Sequence, residues 1–253
     1  MSELEGRCAL VTGAARGLGR ATAALLAHRG ARVMIADIDE PGAQRASAEL
    51  GQGTTSVRCD VTSAADVSAA IAATVEAFGS LDTLVNNAGI EIAKPLVEHT
   101  EAEFDRLMAI NVKGVFLGLK LATPALVASG RGVVVNMASV AGLGGAPLLG
   151  AYCASKAAVI QLTRVAAIEL RDAGIRVNAV CPSFVDTQMV ERLVAPFEAA
   201  MPMTFDAAVA LKQGRLGTAE EVAEMVAFLV SDDASFTTGS EYVLDGGLTA
   251  SLL

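Results

Sequence analysis

Short apolar runs rich in valine and isoleucine alternate along this chain with longer stretches in which alanine and leucine recur at helical spacing. Residues 7–12 form the first apolar run, and a glycine-rich turn, Gly13-Ala-Ala-Arg16-Gly17-Leu18-Gly19, carries it into a helical pattern that lasts to His28. The same rhythm predicts further strands over residues 32–37, 54–59, 81–85, 132–138, 175–181 and 241–244. It predicts helices over residues 40–50, 63–78, 151–171 and 218–230, and a long helix beginning at Thr100 with Asn111 inside it. Ser63 and Thr218 are N-cap residues, and Pro182 stops the sixth strand because it cannot donate to a continuing ladder. Strand and helix alternating at this spacing predict an α/β fold: one doubly wound parallel sheet of about seven strands, with helices on both faces and right-handed crossovers. Between residues 186 and 213 the alternation lapses, which predicts an insertion before the penultimate helix that acts as a substrate lid. No linker, repeat or low-complexity segment divides the chain, so residues 1–253 read as one domain.

Composition narrows the function. At 253 residues, 53% of them hydrophobic, the chain is long enough to bury a substantial core. The uncharged run 132–155 contains repeated glycines, Pro147 and Asn136, which argue against a membrane span. The start, Met-Ser-Glu-Leu-Glu-Gly-Arg, shows no basic region followed by an apolar one, and the expectation is a cytoplasmic protein. A net charge of −9 opposes nucleic-acid binding, which depends on neutralising phosphates. The four cysteines, Cys8, Cys59, Cys153 and Cys181, lack Cys-x-x-Cys spacing and read as reduced core thiols. His28 and His99 are the only histidines, neither has partners at ligand spacing, and no metal site is expected.

Candidate chemistry collects where strands end. A strand, a glycine turn and a helix N-terminus are the parts of a phosphate cradle, with free N–H groups and the helix dipole facing the anion. The spacing here is Gly13-x-x-x-Gly17-x-Gly19, unlike the commoner Gly-x-Gly-x-x-Gly. Asp37 ends the next strand about 20 residues on, where an acid grips a ribose 2′-hydroxyl. Loop and acid together point to an adenine dinucleotide. Asp60, Asn87 and Ser139 fall at the ends of later strands, where ligands bind in such sheets. On a helix, Tyr152 and Lys156 share one face about a turn apart. A phenol with a pKa of about 10 gains about 4 kcal/mol toward its phenolate from a cation roughly 4 Å away, enough to bring it toward neutrality.

Taken in order, Thr12-Gly13-x-x-x-Gly17-x-Gly19, Asn86-Asn87-Ala88-Gly89, Ser139 and Tyr152-x-x-x-Lys156 resemble the motifs of the short-chain dehydrogenase/reductase family over essentially the whole chain. The resemblance implies a Rossmann-like sheet, an NAD cofactor, and oxidation of a secondary alcohol or reduction of its ketone. It makes Tyr152 the acid/base and Lys156 the residue that lowers its pKa and holds the nicotinamide ribose. Ser139 hydrogen-bonds the substrate oxygen, and Asn111 supports a proton-relay water. Gly13, Arg16, Gly17, Leu18 and Gly19 would line the pyrophosphate, Asp60 and Val61 the adenine, and Asn87 the adjoining ribose. Val185 and Thr187 would meet the nicotinamide carboxamide. Asp37 favours NAD by repelling a 2′-phosphate, although a basic residue in Arg16's place often accompanies NADP in the family. The family has Pro-Gly after strand six where this chain has Pro182-Ser183, and a serine there is expected to restrict the backbone beside the nicotinamide.

The substrate expectation rests on the lid, which carries Met189, Met201, Met203, Phe197 and Phe205 but only Arg192 and Lys212 as cations. That composition suggests a lipophilic or cyclic substrate, hydroxysteroid-like or cyclohexanol-like. Two alternatives are an NADPH-linked 3-oxoacyl-thioester reductase of the same family and a non-catalytic dinucleotide sensor. The long helices around Asn111 and Tyr152 are apolar on more than one face, through Val112, Val115, Phe116 and Leu119 and then Val159, Leu162, Val165 and Ile168. Such helices must bury both faces, and a homotetramer is expected, with a further contact from the apolar C-terminus 248–253.

Overall fold

The computed structural model describes residues 4–51 and 53–250. Seven parallel strands run β1 Cys8–Thr12, β2 Arg32–Asp37, β3 Thr54–Arg58, β4 Thr83–Asn86, β5 Val133–Met137, β6 Arg176–Pro182 and β7 Glu241–Leu244. They lie in the order β3-β2-β1-β4-β5-β6-β7. The strands are one or two residues shorter than the apolar runs predict, except β2 and β7, which agree, and β6, which takes in Pro182 as its last residue.

Alternation within each strand sends its side chains to two separate cores. Ala9 and Val11 of β1, with Val33 and Ile35 of β2, pack beneath α1 (Gly17–His28), α2 (Glu40–Leu50) and α9 (Ala219–Val230). Leu10 and Met34 face the other way, under α3 (Ala64–Phe78), α5 (Gly114–Ser129) and α6 (Gly150–Leu170). Because both faces are covered, the central strands β1, β4 and β5 are buried along their whole length, and the asparagines they carry, Asn86 and Asn136, bond to each other. Strand order reverses between β1 and β4, and the crevice above that point is where such sheets bind ligands.

The helix expected from Thr100 is not uniform. It starts as α4 (Glu101–Met108), capped by a Thr100–Glu103 capping box, passes through a π-helical turn at Ala109–Lys113, and continues as α5. The stretch Glu101–Ser129 is long and apolar enough to cross a bilayer by length and composition alone, and α5 buries Leu117, Leu119 and Leu126 against the protein's own core. The run 132–155 folds as β5, a turn and the start of α6. The insertion consists of α7 (Gln188–Ala200) and α8 (Phe205–Lys212), capped by Thr187 and Thr204. Cys8, Cys59 and Cys181 are buried free thiols, and Cys153 is half-buried. His28 ends α1 and His99 precedes the cap of α4. Residues 1–3, and the 251–253 portion of the apolar C-terminus, lie outside the described residues.

Candidate active site

A cavity of about 590 Å³ opens along the carboxyl ends of the strands, and most of the residues singled out in the sequence line it, from Arg16 and Asp37 at one end to Tyr152 and Thr187 at the other. Six helices, α2, α3, α4, α7, α8 and α9, begin with a side chain that caps a backbone N–H. By contrast α1 begins at Arg16 with no side-chain cap and no acid in its first turn. Its first N–H groups and its dipole therefore face the cavity, a setting that favours an anion. Gly13 has φ +64°, and a Cβ there would lie 2.7 Å from the Ala88 Cα. Gly17, at φ +56°, has nothing within 4 Å of where its Cβ would be, so the rim of the cradle stays open. Both features fit a dinucleotide pyrophosphate.

Asp37 is fixed beside this cradle. One carboxylate oxygen accepts from the Ala15 N–H at 3.0 Å and the other from the Asp39 N–H at 3.0 Å. Arg16 is exposed on the rim. Asn87 donates through Nδ2 to the carbonyls of Thr12 (2.9 Å) and Gly13 (3.0 Å), so its main visible work is to lash the end of β4 to the glycine turn. Asp60 accepts from the N–H and hydroxyl of Thr62, which leaves Val61 beside it as a wall of the cavity.

At the other end three groups meet. Ser139 follows β5 and caps a short 3-10 turn, its Oγ accepting from the Ala141 N–H and donating to the Pro182 carbonyl, each at 3.2 Å. Tyr152 and Lys156 lie one turn apart on α6. Lys156 is buried and donates through Nζ to the Met137 carbonyl at 2.7 Å. Its ammonium is 5.5 Å from the Tyr152 ring centroid. Burial pushes the phenol well above its usual range, opposed by the neighbouring Ser139 hydroxyl and reinforced by the Glu91 carboxylate. Burial also brings Lys156 down to about 8. The expectation that the lysine draws the phenol down to neutrality is not met by the protein's own groups, among which desolvation is the largest influence on Tyr152 and raises it.

Asn111 occupies the π-helical turn and is buried. Its Nδ2 donates to the Ile90 carbonyl (2.9 Å) and to Ser155 Oγ (3.0 Å), while its Oδ1 accepts from the Ile90 N–H (2.9 Å). The amide thus joins the loop after β4 to α6. Sequence reasoning assigned nothing to Gly89 in that loop, yet a Cβ there would sit 3.3 Å from Asn111 Oδ1 and 3.6 Å from Lys156 Nζ. Glycine keeps the space between those two groups clear.

Beyond β6, Val185 pairs with Gly217 and Thr187 caps α7. Ser183 sits in this loop without backbone strain: Leu148 is the only described non-glycine residue with positive φ. Of the five lid residues used to argue a lipophilic substrate, only Met189 lines the cavity. Phe197 and Phe205 instead pack edge-on around one another and Phe184, with centroids 5.1 and 5.4 Å apart, and fasten the insertion to its own domain. Residues missed from sequence include Ile90 and Val190 on the cavity wall and Glu91, whose nearly buried carboxylate pairs with Arg192 at 3.3 Å across the mouth. Adjacency to Gly89 was the one available signal for Ile90 and Glu91.

Comparison with known proteins adds three findings. A family model described as Enoyl-(Acyl carrier protein) reductase matches residues 13–249. The cis-4-hydroxycyclohexanecarboxylate dehydrogenase of Sinomonas cyclohexanicum is 45% identical over 250 residues, covering 96% of this chain and 97% of that one, and the sorbitol dehydrogenase of Cereibacter sphaeroides is 40% identical over 250 residues, covering 96% and 98%. The crystal structure of levodione reductase aligns with a TM-score of 0.92 at 38% identity, covering 98% of this chain and 99% of that one.

Proposed function

The chain belongs to the short-chain dehydrogenase/reductase family and is an oxidoreductase of CH–OH groups that uses a nicotinamide dinucleotide, and from that premise we propose an NAD-preferring dehydrogenase of a small cyclic secondary alcohol. The observation that carries this reading is the single cavity with Asp37 at one end and Ser139, Tyr152 and Lys156 at the other. A bound nicotinamide dinucleotide supplies the hydride acceptor and donor. Gly13, Arg16, Gly17, Leu18 and Gly19 hold its pyrophosphate, Asp37 and Asn87 the ribose beside the adenine, and Asp60 and Val61 the adenine. Val185 and Thr187 hold the carboxamide, and Lys156 and Tyr152 the nicotinamide ribose.

Ser139 orients the substrate oxygen by hydrogen bonding, and Tyr152 as phenolate removes the hydroxyl proton while hydride departs from the carbinol carbon. In the reverse direction the phenol returns that proton. Lys156 stabilises the phenolate form, and Asn111 supports a relay water in the space that Gly89 leaves clear. Asp37 excludes a 2′-phosphate: with both oxygens anchored by backbone N–H groups it cannot swing away, whereas exposed Arg16 has freedom to turn to solvent.

A small ring suits the apolar wall of Ile90, Met189 and Val190, and a ring alcohol is the named substrate of the 45% identical relative. The family-model description favours an acyl-thioester reading instead, against which stands Arg192, which lines the cavity with exposed Arg106 and is already paired with Glu91. Initial rates with NAD and with NADP across substituted cyclohexanols, hydroxysteroids, aryl secondary alcohols, polyols and 3-hydroxyacyl thioesters decide between them. The expected result is the highest kcat/KM for a substituted cyclohexanol with NAD. A polyol or thioester optimum would overturn the substrate, and equal kcat/KM with NADP the cofactor.

The assembly follows from the helices flanking the site. Val115, Leu119 and Val159 are buried in the subunit's own core, while Phe116 (46% exposed), Val165 (50%) and Ile168 (69%) face outward from the same helices. Covering them with copies of the same helices gives a homotetramer in the cytosol. Light scattering at micromolar concentration is expected to return about four times 25.8 kDa, and a monomer mass would refute it.

A further inference from the structure

Ser183, the residue that departs from the family pattern, is not alone. Its Oγ donates to Gln213 Oε1 at 2.7 Å, and the same oxygen accepts from the Phe184 N–H at 3.2 Å. On the other side Gln213 Nε2 donates to the carbonyls of Phe184 and Arg215, each at 2.7 Å. An N–H can only donate and a carbonyl can only accept, so these backbone partners fix which way the amide points. A primary amide offers two donors and two acceptor sites, and all four are used. Gln213 is buried, although glutamine ordinarily sits at the surface.

Position gives this saturation a use. Phe184 is where the chain leaves the sheet after β6, and Gln213 is where it returns after α8. Everything between them is the excursion that brings Val185, Thr187, Gln188, Met189, Val190 and Arg192 to the cavity. A third strand joins the knot: the Ser183 N–H donates to the Leu244 carbonyl at 3.1 Å, and a Cβ on Gly246 would overlap the Gln213 carbonyl. Both ends of the excursion are therefore held at one point by a single side chain.

We propose that Gln213, with the Ser183 hydroxyl, is a positioning residue that fixes the loop bearing Val185 and Thr187, and through it the geometry of hydride transfer. The proposal rests on the dehydrogenase reading above for its last step only. In Gln213→Met the volume is kept and all four hydrogen bonds are lost; the Phe184 N–H and the Arg215 carbonyl lose their partner, while the Phe184 carbonyl keeps the Gly217 N–H at 3.0 Å and the Ser183 hydroxyl keeps the Leu244 carbonyl at 3.4 Å. Misplacement of a reacting group by a remote substitution costs up to about a hundredfold in rate, and kcat is expected to fall by about tenfold or more.

The test combines binding, exchange and rate. ADP-ribose lacks the nicotinamide, so Gln213→Met should weaken NADH by about tenfold and change ADP-ribose by less than about twofold, whereas a general loss of fold moves both together. Hydrogen exchange at the Phe184 amide should rise by about tenfold or more without a matching rise in the strand cores. Adding Ser183→Ala to Gln213→Met should cost less than Ser183→Ala alone, because the bond it deletes is already gone, as coupled residues do. If Gln213→Met fails to fold, Ser183→Ala, which deletes one of the two bonds to Oε1, should shift the same ratio in the same direction by a smaller amount. Unchanged kcat and NADH affinity, or equal losses for NADH and ADP-ribose, would overturn the clamp. Failure of the wild-type protein to oxidise any alcohol while binding NADH would instead sink the dehydrogenase reading and leave the binding and exchange results to judge the clamp.

Discussion

Tyr152→Phe is expected to leave a folded protein that binds NAD and turns over substrate about a thousandfold or more slowly, within the range attributed to a positioned acid/base. The ring packs with Leu149, Phe205 and Val209 beneath the insertion, and phenylalanine keeps that packing. What disappears is the one oxygen able to exchange a proton with the substrate hydroxyl beside Ser139. Tyr242 is the only other tyrosine and lies in β7, away from the cavity lining. Steady-state rates together with cofactor titration separate loss of chemistry from loss of binding. Survival of about a tenth of wild-type kcat would mean that another group carries the proton, and the assignment would fail.

Lys156→Met is expected to damage both turnover and dinucleotide affinity, and to displace the pH profile. Burial holds the Tyr152 phenol above its usual range, so the productive phenolate becomes more abundant as pH rises, and kcat/KM for alcohol oxidation should climb from neutral toward alkaline pH. Ketone reduction needs the phenol and should run the opposite way. At pH 7, below its value of about 8, Lys156 is mostly protonated and supports the phenolate. Without that charge the rising limb should move to higher pH, and a profile superimposable on wild type would show that the ammonium does not act on the phenol. The same shifts carry a stability sign. Lys156 is depressed from 10.5 to about 8 in the fold, so between those values the unfolded chain binds more protons at this group. The cost of burying its charge is therefore full below pH 8 and is relieved as pH rises through that window. Tyr152, shifted upward, contributes the opposite trend above the usual phenol value of 10.0.

Local rules made much of the fold legible. Thr54 through Phe78 read correctly because alternation, the Ser63 cap and helical spacing agree within a short window, and the run 32–37 matched β2 at both ends. The π-helical turn at Asn111 was not legible, because an extra residue in a helical turn is chosen by what the amide can reach in space, Ile90 and Ser155, and leaves no mark on periodicity. Similarly, Tyr152 and Lys156 could be paired by spacing, but the direction of the phenol's shift depends on burial from several elements at once. The methionines and phenylalanines of the insertion misled for a related reason: composition reports how much apolar surface there is and not whether it turns toward a ligand or toward Leu149 and Phe184. Gln213 gave no signal, since a glutamine at a helix end looks like any solvated residue until its four partners are known.

The closure of the insertion at one glutamine also makes it separable. Its two ends meet at a point set by β6, β7 and the Gln213 amide, while the dinucleotide cradle is built by β1, β2 and the turn into α1, on the far side of the strand reversal. Length and sequence from Gln188 to Lys212 are thus free to drift, or to be exchanged for another loop by an engineer, with the anchoring amide, its serine and the Val185–Thr187 segment kept as the splice. Substrate range can be rewritten in such a cassette while the redox half of the molecule is inherited unchanged.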